Sequence, residues 1–221
     1  MKKPFGKPPA PSEYRTVLQK VSWQKYEQLL VEMERERTAR FTYQRGRLEM
    51  MTPLEEHERC HKLIESLILT VTDEMDVRIE AYKVPTLKRV DLQLGVEPDT
   101  AYYIQNAERM ARRNKIDLAV DPVPDLILDV ELSRSSLNKF EIYAELGIPE
   151  VWRYISKPGE TFLKGQFFIH YLNGDRYIED DCGLAFPFLP AGRILQFIDQ
   201  SDVSGLPTAL RDLRIWVEET I

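Results

Sequence analysis

Cysteine is scarce: Cys60 and Cys182 are the only two in 221 residues, too few for a disulfide framework. Such usage fits a reducing compartment, so a cytoplasmic protein with free thiols is expected. Long apolar runs are missing too. No stretch approaches the ~18–20 residues that would cross a bilayer, and no membrane partner is expected. The basic opening, Met1-Lys2-Lys3-Pro4-Phe5-Gly6-Lys7-Pro8-Pro9, has no apolar segment behind it and does not read as a signal peptide. Positive charge is in deficit as well: 30 Lys and Arg against 36 Asp and Glu give a net charge of −6. That balance excludes a protein that coats nucleic acid by charge alone. It does not exclude an enzyme that grips one phosphodiester and lets go. Arg109, Arg112, Arg113 and Lys115 form a local basic run, readable as a phosphate-facing surface or, more simply, as a solvated helix or loop.

What is present describes a globular chain. Apolar residues make up 43% and charged residues 30%, a normal core under a solvated surface. Residues 1–20 open with four of the 14 prolines in the first eleven positions and show no periodicity, so they read as a mobile N-terminal tail. Residues 21–221 then form a single domain that closes with helices at about 190–221. Ser22 is placed to cap a helix carrying Trp23, Tyr26, Leu29, Leu30 and Met33 on one stripe. A hairpin follows, Arg40 to Tyr43 and Arg47 to Met51 around Gly46. Thr52-Pro53-Leu54-Glu55 has capping-box spacing with proline at the first helical position, ahead of a long helix burying Leu63, Ile64, Leu67, Ile68, Val71 and Met75. Strands are expected at 77–84, 100–104, 125–132 and 150–155, and a helix from Leu137 to Leu146 ending at Gly147. Asn173-Gly174 marks a last hairpin. The order predicts an α/β protein: a mixed α+β sheet flanked by helices.

The segment Asp125-Leu126-Ile127-Leu128-Asp129-Val130-Glu131-Leu132 needs a physical explanation. In a strand, Asp129 and Glu131 share a face, roughly 7 Å apart at the Cα level. Like charges in so apolar a strand are costly unless a lysine, an arginine or a metal compensates them. An edge strand with one wet face is the other reading. Asp99 opens a strand after Glu97-Pro98, either as a turn cap or as a second carboxylate for a hard cation. Ser133-Arg134-Ser135-Ser136-Leu137-Asn138-Lys139 follows the acidic strand. With Ser136 as N-cap, Lys139 takes the third helical position, which the helix dipole disfavours, so it is either aimed at an anion or turned to solvent.

Pro98-Asp99, Asp129-Val130-Glu131, and Lys139 with Tyr143 four residues on resemble the PD-(D/E)XK nuclease superfamily. Within it the chain resembles the Uma-type restriction endonuclease family. The likeness runs from Ser22-Trp23 through Gly46, Met51-Thr52-Pro53 and His57. It continues through Glu97-Pro98-Asp99, Pro124-Asp125-Leu126-Ile127-Leu128-Asp129 and Leu146-Gly147-Ile148-Pro149-Glu150-Val151-Trp152-Arg153-Tyr154. The resemblance implies a restriction endonuclease-like core and Mg²⁺ or Mn²⁺ held by Asp99, Asp129 and the Val130 carbonyl. It implies DNA as substrate, with Lys139 serving from the helix because Glu131 occupies the usual strand-lysine position. Glu131 then becomes an extra ligand or a base. Double-strand cleavage in this superfamily commonly uses two active sites, which is compatible with a homodimer. His57, Glu49 and Tyr143 are further candidates near the site. A catalytically inactive nuclease-fold module that binds nucleic acid or protein is the alternative function.

Two other features compete for attention. His57, Cys60 and His61, at helical spacing, could begin a zinc site, but no fourth ligand has recognisable spacing, so helix-surface residues are the simpler reading. Trp152 and Tyr154 read as core aromatics rather than a base-stacking platform.

Overall fold

Ser22 caps the first helix as its position promises, its hydroxyl accepting from the Lys25 N–H at 3.2 Å, and α1 (Trp23–Glu32) follows. The structure, a computed structural model, describes residues 13–33, 38–132, 135–156 and 164–221. Ahead of α1 stands β1 (Tyr14–Leu18), antiparallel to β3 (Arg47–Thr52), which forms a hairpin with β2 (Arg40–Gln44). The turn between them takes Gly46 to φ 92°, a backbone region that suits glycine. Strand β1 corrects the expectation of a tail through residue 20. Residues 1–12 of that tail lie outside the described residues. The prolines end at Pro11, and Tyr14-Arg15-Thr16-Val17-Leu18 after them is a β-favouring run.

Helix α2 (Glu55–Glu74) buries Leu63, Ile64, Leu67, Ile68 and Val71 along one stripe. Its N-cap is Leu54, without a side-chain hydrogen bond, so Pro53 precedes the helix instead of opening it. Glu55, Glu56 and Glu58 in the first turn suit the helix dipole in place of the expected capping box. Then come β4 (Glu80–Lys83), β5 (Leu87–Arg89), β6 (Leu94–Val96), β7 (Thr100–Tyr103), a short α3 (Ala107–Met110) and β8 (Leu126–Glu131). The chain continues with α4 (Lys139–Leu146), β9 (Glu150–Ser156), β10 (Gly165–Asn173), β11 (Arg176–Asp180), α5 (Ala191–Ser204) and α6 (Leu206–Thr220). Among the described residues no helix is long and apolar enough to cross a membrane.

Two sheets result, ordered β1-β3-β2-β6-β5 and β11-β10-β9-β8-β7-β4. The mixed character comes from β8 and β9, which run parallel and are joined through α4, while β7 lies antiparallel to β8. Leu126, Leu128 and Val130 of β8 face a core shared with α2, α5 and α6. Ile127 faces a second core against α4. The alternation expected of β8 therefore holds, and Trp152 and Tyr154 are fully buried core residues. A third cluster forms where Tyr26 stacks on Tyr43 with centroids 4.7 Å apart. Gly95 makes room for it, since a Cβ there would stand 2.2 Å from the Tyr26 hydroxyl.

Ile64 has no exposed surface and sits where α2 meets the larger sheet. Ile64→Ala should destabilise the protein by roughly 2–5 kcal/mol, the range for truncating a buried aliphatic side chain. Urea unfolding followed by circular dichroism will measure it.

Candidate active site

The antiparallel pairing of β7 with β8 brings Asp99 and Asp129 to the same end of the larger sheet. Asp99 precedes β7, and its N–H donates to the Leu128 carbonyl at 3.2 Å. Its Oδ2 accepts from the Val130 N–H at 2.6 Å, so backbone and side chain of Asp99 together hold β8 on either side of Asp129. Asp129 itself is met from α4: Lys139 Nζ donates to its Oδ1 at 2.8 Å and the Tyr143 hydroxyl to its Oδ2 at 2.8 Å. Lys139 and Tyr143 are one helical turn apart and share a face. Asp99, Asp129, Val130, Lys139 and Tyr143 are thus brought together. The N-cap of α4 is Asn138, whose side chain accepts from the Phe140 N–H. That corrects the expectation of a Ser136 cap and puts Lys139 at the first helical position. Ser133 and Arg134 of the preceding segment lie outside the described residues.

The charges are buried, and their balance is internal. Burial would push the Lys139 amine down, but Asp129, Asp99 and Glu131 outweigh it and hold the group protonated. Tyr143 stays a neutral donor, pushed up by burial and by the Asp129 charge. Asp99 Oδ1 faces both Arg40 and His57, with His57 Nε2 at 2.7 Å. Burial opposes ionisation of Asp99, yet the His57 and Arg40 charges hold its carboxyl far below the usual carboxylate range. Burial likewise lowers His57, but the Asp99 charge and hydrogen bonds to Asp99 and Glu13 carry it up to about 9. Arg40 also reaches Glu58 Oε1 at 2.6 Å.

Other expected site residues take different places. Glu131 stands on the Asp129 face, gripped by the Arg153 guanidinium at 3.1 and 2.6 Å. Glu49 joins neither aspartate through a direct hydrogen bond. Its carboxylate accepts from Arg15 at 2.6 Å, from the Ser135 hydroxyl at 2.8 Å and from the Ser136 N–H at 2.7 Å. The zinc reading and the surface reading of the helix triad are both corrected. His57, Cys60 and His61 are all buried. His61 contacts the Thr100 hydroxyl at 2.7 Å, and Cys60 lies in the core with its thiol pushed up to about 12 by burial. In the basic run, Arg109 donates to the Val120 carbonyl and Arg113 pairs with Asp121 at 3.2 Å.

No group of three or more His, Cys, Asp or Glu able to hold a metal ion occurs among the described residues. The donors at neighbouring positions on β8 and just ahead of β7 are oxygens: two carboxylates and, on the same strand edge as the Val130 N–H, its carbonyl. Oxygen donors are the kind hard cations such as Mg²⁺ or Mn²⁺ take, though each carboxylate oxygen here is hydrogen-bonded within the protein. Sequence reasoning missed Arg40, Glu13, Arg15 and Arg153. Arg40 and Arg153 open or cross ordinary strands with no spacing to single them out, and Glu13 and Arg15 fell within the segment read as a tail.

The sequence model of the Uma2 family, described as a putative restriction endonuclease, matches residues 23–182. A solved structure described as a putative nuclease belonging to DUF820, from Anabaena variabilis, is similar at 14% identity and a TM-score of 0.48. The similarity covers 72% of this chain and 90% of that one. No curated protein matches the chain.

The Lys139–Asp129 pair predicts a thermodynamic signature of its own. Lys139→Met leaves a buried carboxylate uncompensated and should cost roughly 3–5 kcal/mol. Adding Asp129→Leu should recover most of that loss, because the pair is then replaced by apolar volume. Urea midpoints of the two variants and the wild type make the comparison.

Proposed function

The chain belongs to the Uma2 family, and from that premise we propose that it is a metal-dependent nuclease hydrolysing DNA phosphodiester bonds. One observation carries the reading. Asp99, Asp129 and Lys139, from three separate stretches of sequence, meet at one buried end of β7 and β8. A chain has no need of two neighbouring carboxylates in its interior for stability alone, since burying like charges is costly.

Asp99, Asp129 and the Val130 carbonyl would hold Mg²⁺ or Mn²⁺, which supplies Lewis-acid polarisation of the phosphate and a nucleophile at neutral pH. Lys139, kept protonated by its acidic surroundings, orients the attacking water or offsets charge developing on the phosphate. Tyr143 holds the second oxygen of Asp129 and fixes the carboxylate's rotation. Glu131 keeps Arg153 at a groove of about 370 Å³ that also reaches Ser135, Ser136, Asn138 and Lys139. This groove is the approach we assign to the scissile phosphate. Arg153 there adds a planar cation suited to phosphate. Glu131 acts as the proton acceptor only when Arg153 lets it go. Cutting both strands calls for two such sites, so a homodimer accompanies this reading.

A specific observation favours a second reading, an inactive nuclease-fold module. Each oxygen of Asp99 and Asp129 already has a partner within the protein, so the charges balance without any ion. Metal affinity and cleavage separate the two. The wild type should bind Mn²⁺ in the millimolar range or better by electron paramagnetic resonance and nick plasmid DNA with Mg²⁺ or Mn²⁺. Asp99→Asn should weaken that binding. Asp129→Ala, and the near-isosteric Asp129→Asn, should abolish cleavage while the circular dichroism spectrum stays native. Undiminished cutting by either Asp129 variant would end the assignment. A wild type that neither binds Mn²⁺ nor cuts leaves the inactive module.

A further inference from the structure

The family-matched segment begins at residue 23, yet the charges around the site reach back to Glu13 and Arg15. A continuous chain of contacts starts at Asp99, whose Oδ1 lies 2.7 Å from His57 Nε2. The opposite ring nitrogen, Nδ1, lies 2.6 Å from Glu13 Oε1. The other Glu13 oxygen takes Arg15 Nη2 at 2.7 Å, and Arg15 Nη1 reaches Glu49 Oε1 at 2.6 Å. Glu49 in turn holds the turn at Ser135 and Ser136, three residues before Lys139. The chain therefore leaves the candidate site at one aspartate and returns to it beside the lysine that serves the other.

The two carboxylates and the imidazole of this chain are buried: Glu13 is 5% exposed, His57 0% and Glu49 1%. Two carboxylates so enclosed need a cation between them, and Arg15 supplies one with a separate nitrogen for each. Pairing between β1 and β3 sets Arg15 opposite Met51 and Val17 opposite Glu49, so Arg15 reaches Glu49 diagonally across the ladder. Register thus fixes the bridge as firmly as the hydrogen bonds do.

We propose that strand β1 is a functional member of the site. In this assignment Glu13 and Arg15 are positioning residues that tie the His57 side of Asp99 to the Ser135–Ser136 turn, from which α4 presents Lys139. The kinetic consequence rests on the nuclease reading; the physical linkage does not.

The test uses the full chain with Arg15→Met, Arg15→Lys and Glu13→Gln. Amide exchange at Ser136, whose N–H donates to Glu49, should quicken about tenfold in Arg15→Met while the amides of the α2 core keep their protection. Arg15→Lys, which preserves the charge but not the fork, should fall between that variant and wild type. On DNA, kcat should drop about ten- to a hundredfold with KM nearly unchanged, as misplacement of a catalytic group does. Mn²⁺ affinity should stay within about threefold of wild type in Arg15→Met, since neither proposed carboxylate ligand is altered. Should Arg15→Met fail to fold, Glu13→Gln and Arg15→Lys carry the same readings. Unchanged Ser136 exchange in the folded variants overturns the linkage, and quickened exchange with unchanged kcat overturns the positioning role. If the wild type cuts no DNA, the exchange measurement still decides the linkage, and it is the nuclease reading that has failed.

Discussion

Everything at the acidic end of the larger sheet depends on how buried carboxylates are paired where water scarcely reaches. Asp99 is held ionised by His57 and Arg40 and bonded to one backbone N–H, whereas burial keeps the Asp129 carboxyl above its ordinary range even with Lys139 and Tyr143 against it. These partners come from four elements, α4 (both Lys139 and Tyr143), β2, α2 and β8, so the electrostatic requirement ties four parts of the fold together. An isolated buried carboxylate would shift its protonation state instead of remaining charged. The packing that aligns those elements is therefore also what keeps the site charged.

The sequence revealed this end of the molecule better than its beginning. Strand β8 is readable because period-two alternation separates Leu126, Leu128 and Val130 from Asp129 and Glu131; that both faces are buried is a consequence of the fold, not of the pattern. The Gly147 terminus of α4 and the Asn173-Gly174 hairpin were readable because glycine marks positive φ, 78° and 65° here. Short strands β5 and β6 leave no mark in the sequence, since three residues cannot display a period. Strand β1 is hard to see because the proline-rich segment before it masks a five-residue run. The start of α4 moved by two residues because Asn138 competes with Ser136 as a cap, and propensity alone does not choose between them.

Within the site, spacing exposed the aspartates and the lysine but not their neighbours. Arg40 and Glu13 lie far from Asp99 and His57 in the chain, and nothing local distinguishes them from surface charges. Only the fold creates those contacts. Glu49 holds the turn at Ser135 and Ser136, and its burial, not its position in a β-hairpin, reveals that job. His57 and Cys60 share a helical stripe in sequence, yet one faces charges and the other hydrocarbon, because α2 lies at the boundary between the two.

Lys139 reaches Asp129 from a helix, and that has a mechanical consequence. A lysine carried on β8 would be fixed in depth by its ladder with the flanking strands. On α4 its reach follows the docking of a two-turn helix on the sheet, held by Ile142, Tyr143 and Leu146. A small slide or tilt of that helix would move Lys139 and Tyr143 together, each toward or away from its own oxygen of the same carboxylate. The pair behaves as a two-pronged clamp whose tension is set by the apolar contacts of Ile142, Tyr143 and Leu146 on the same face of the helix.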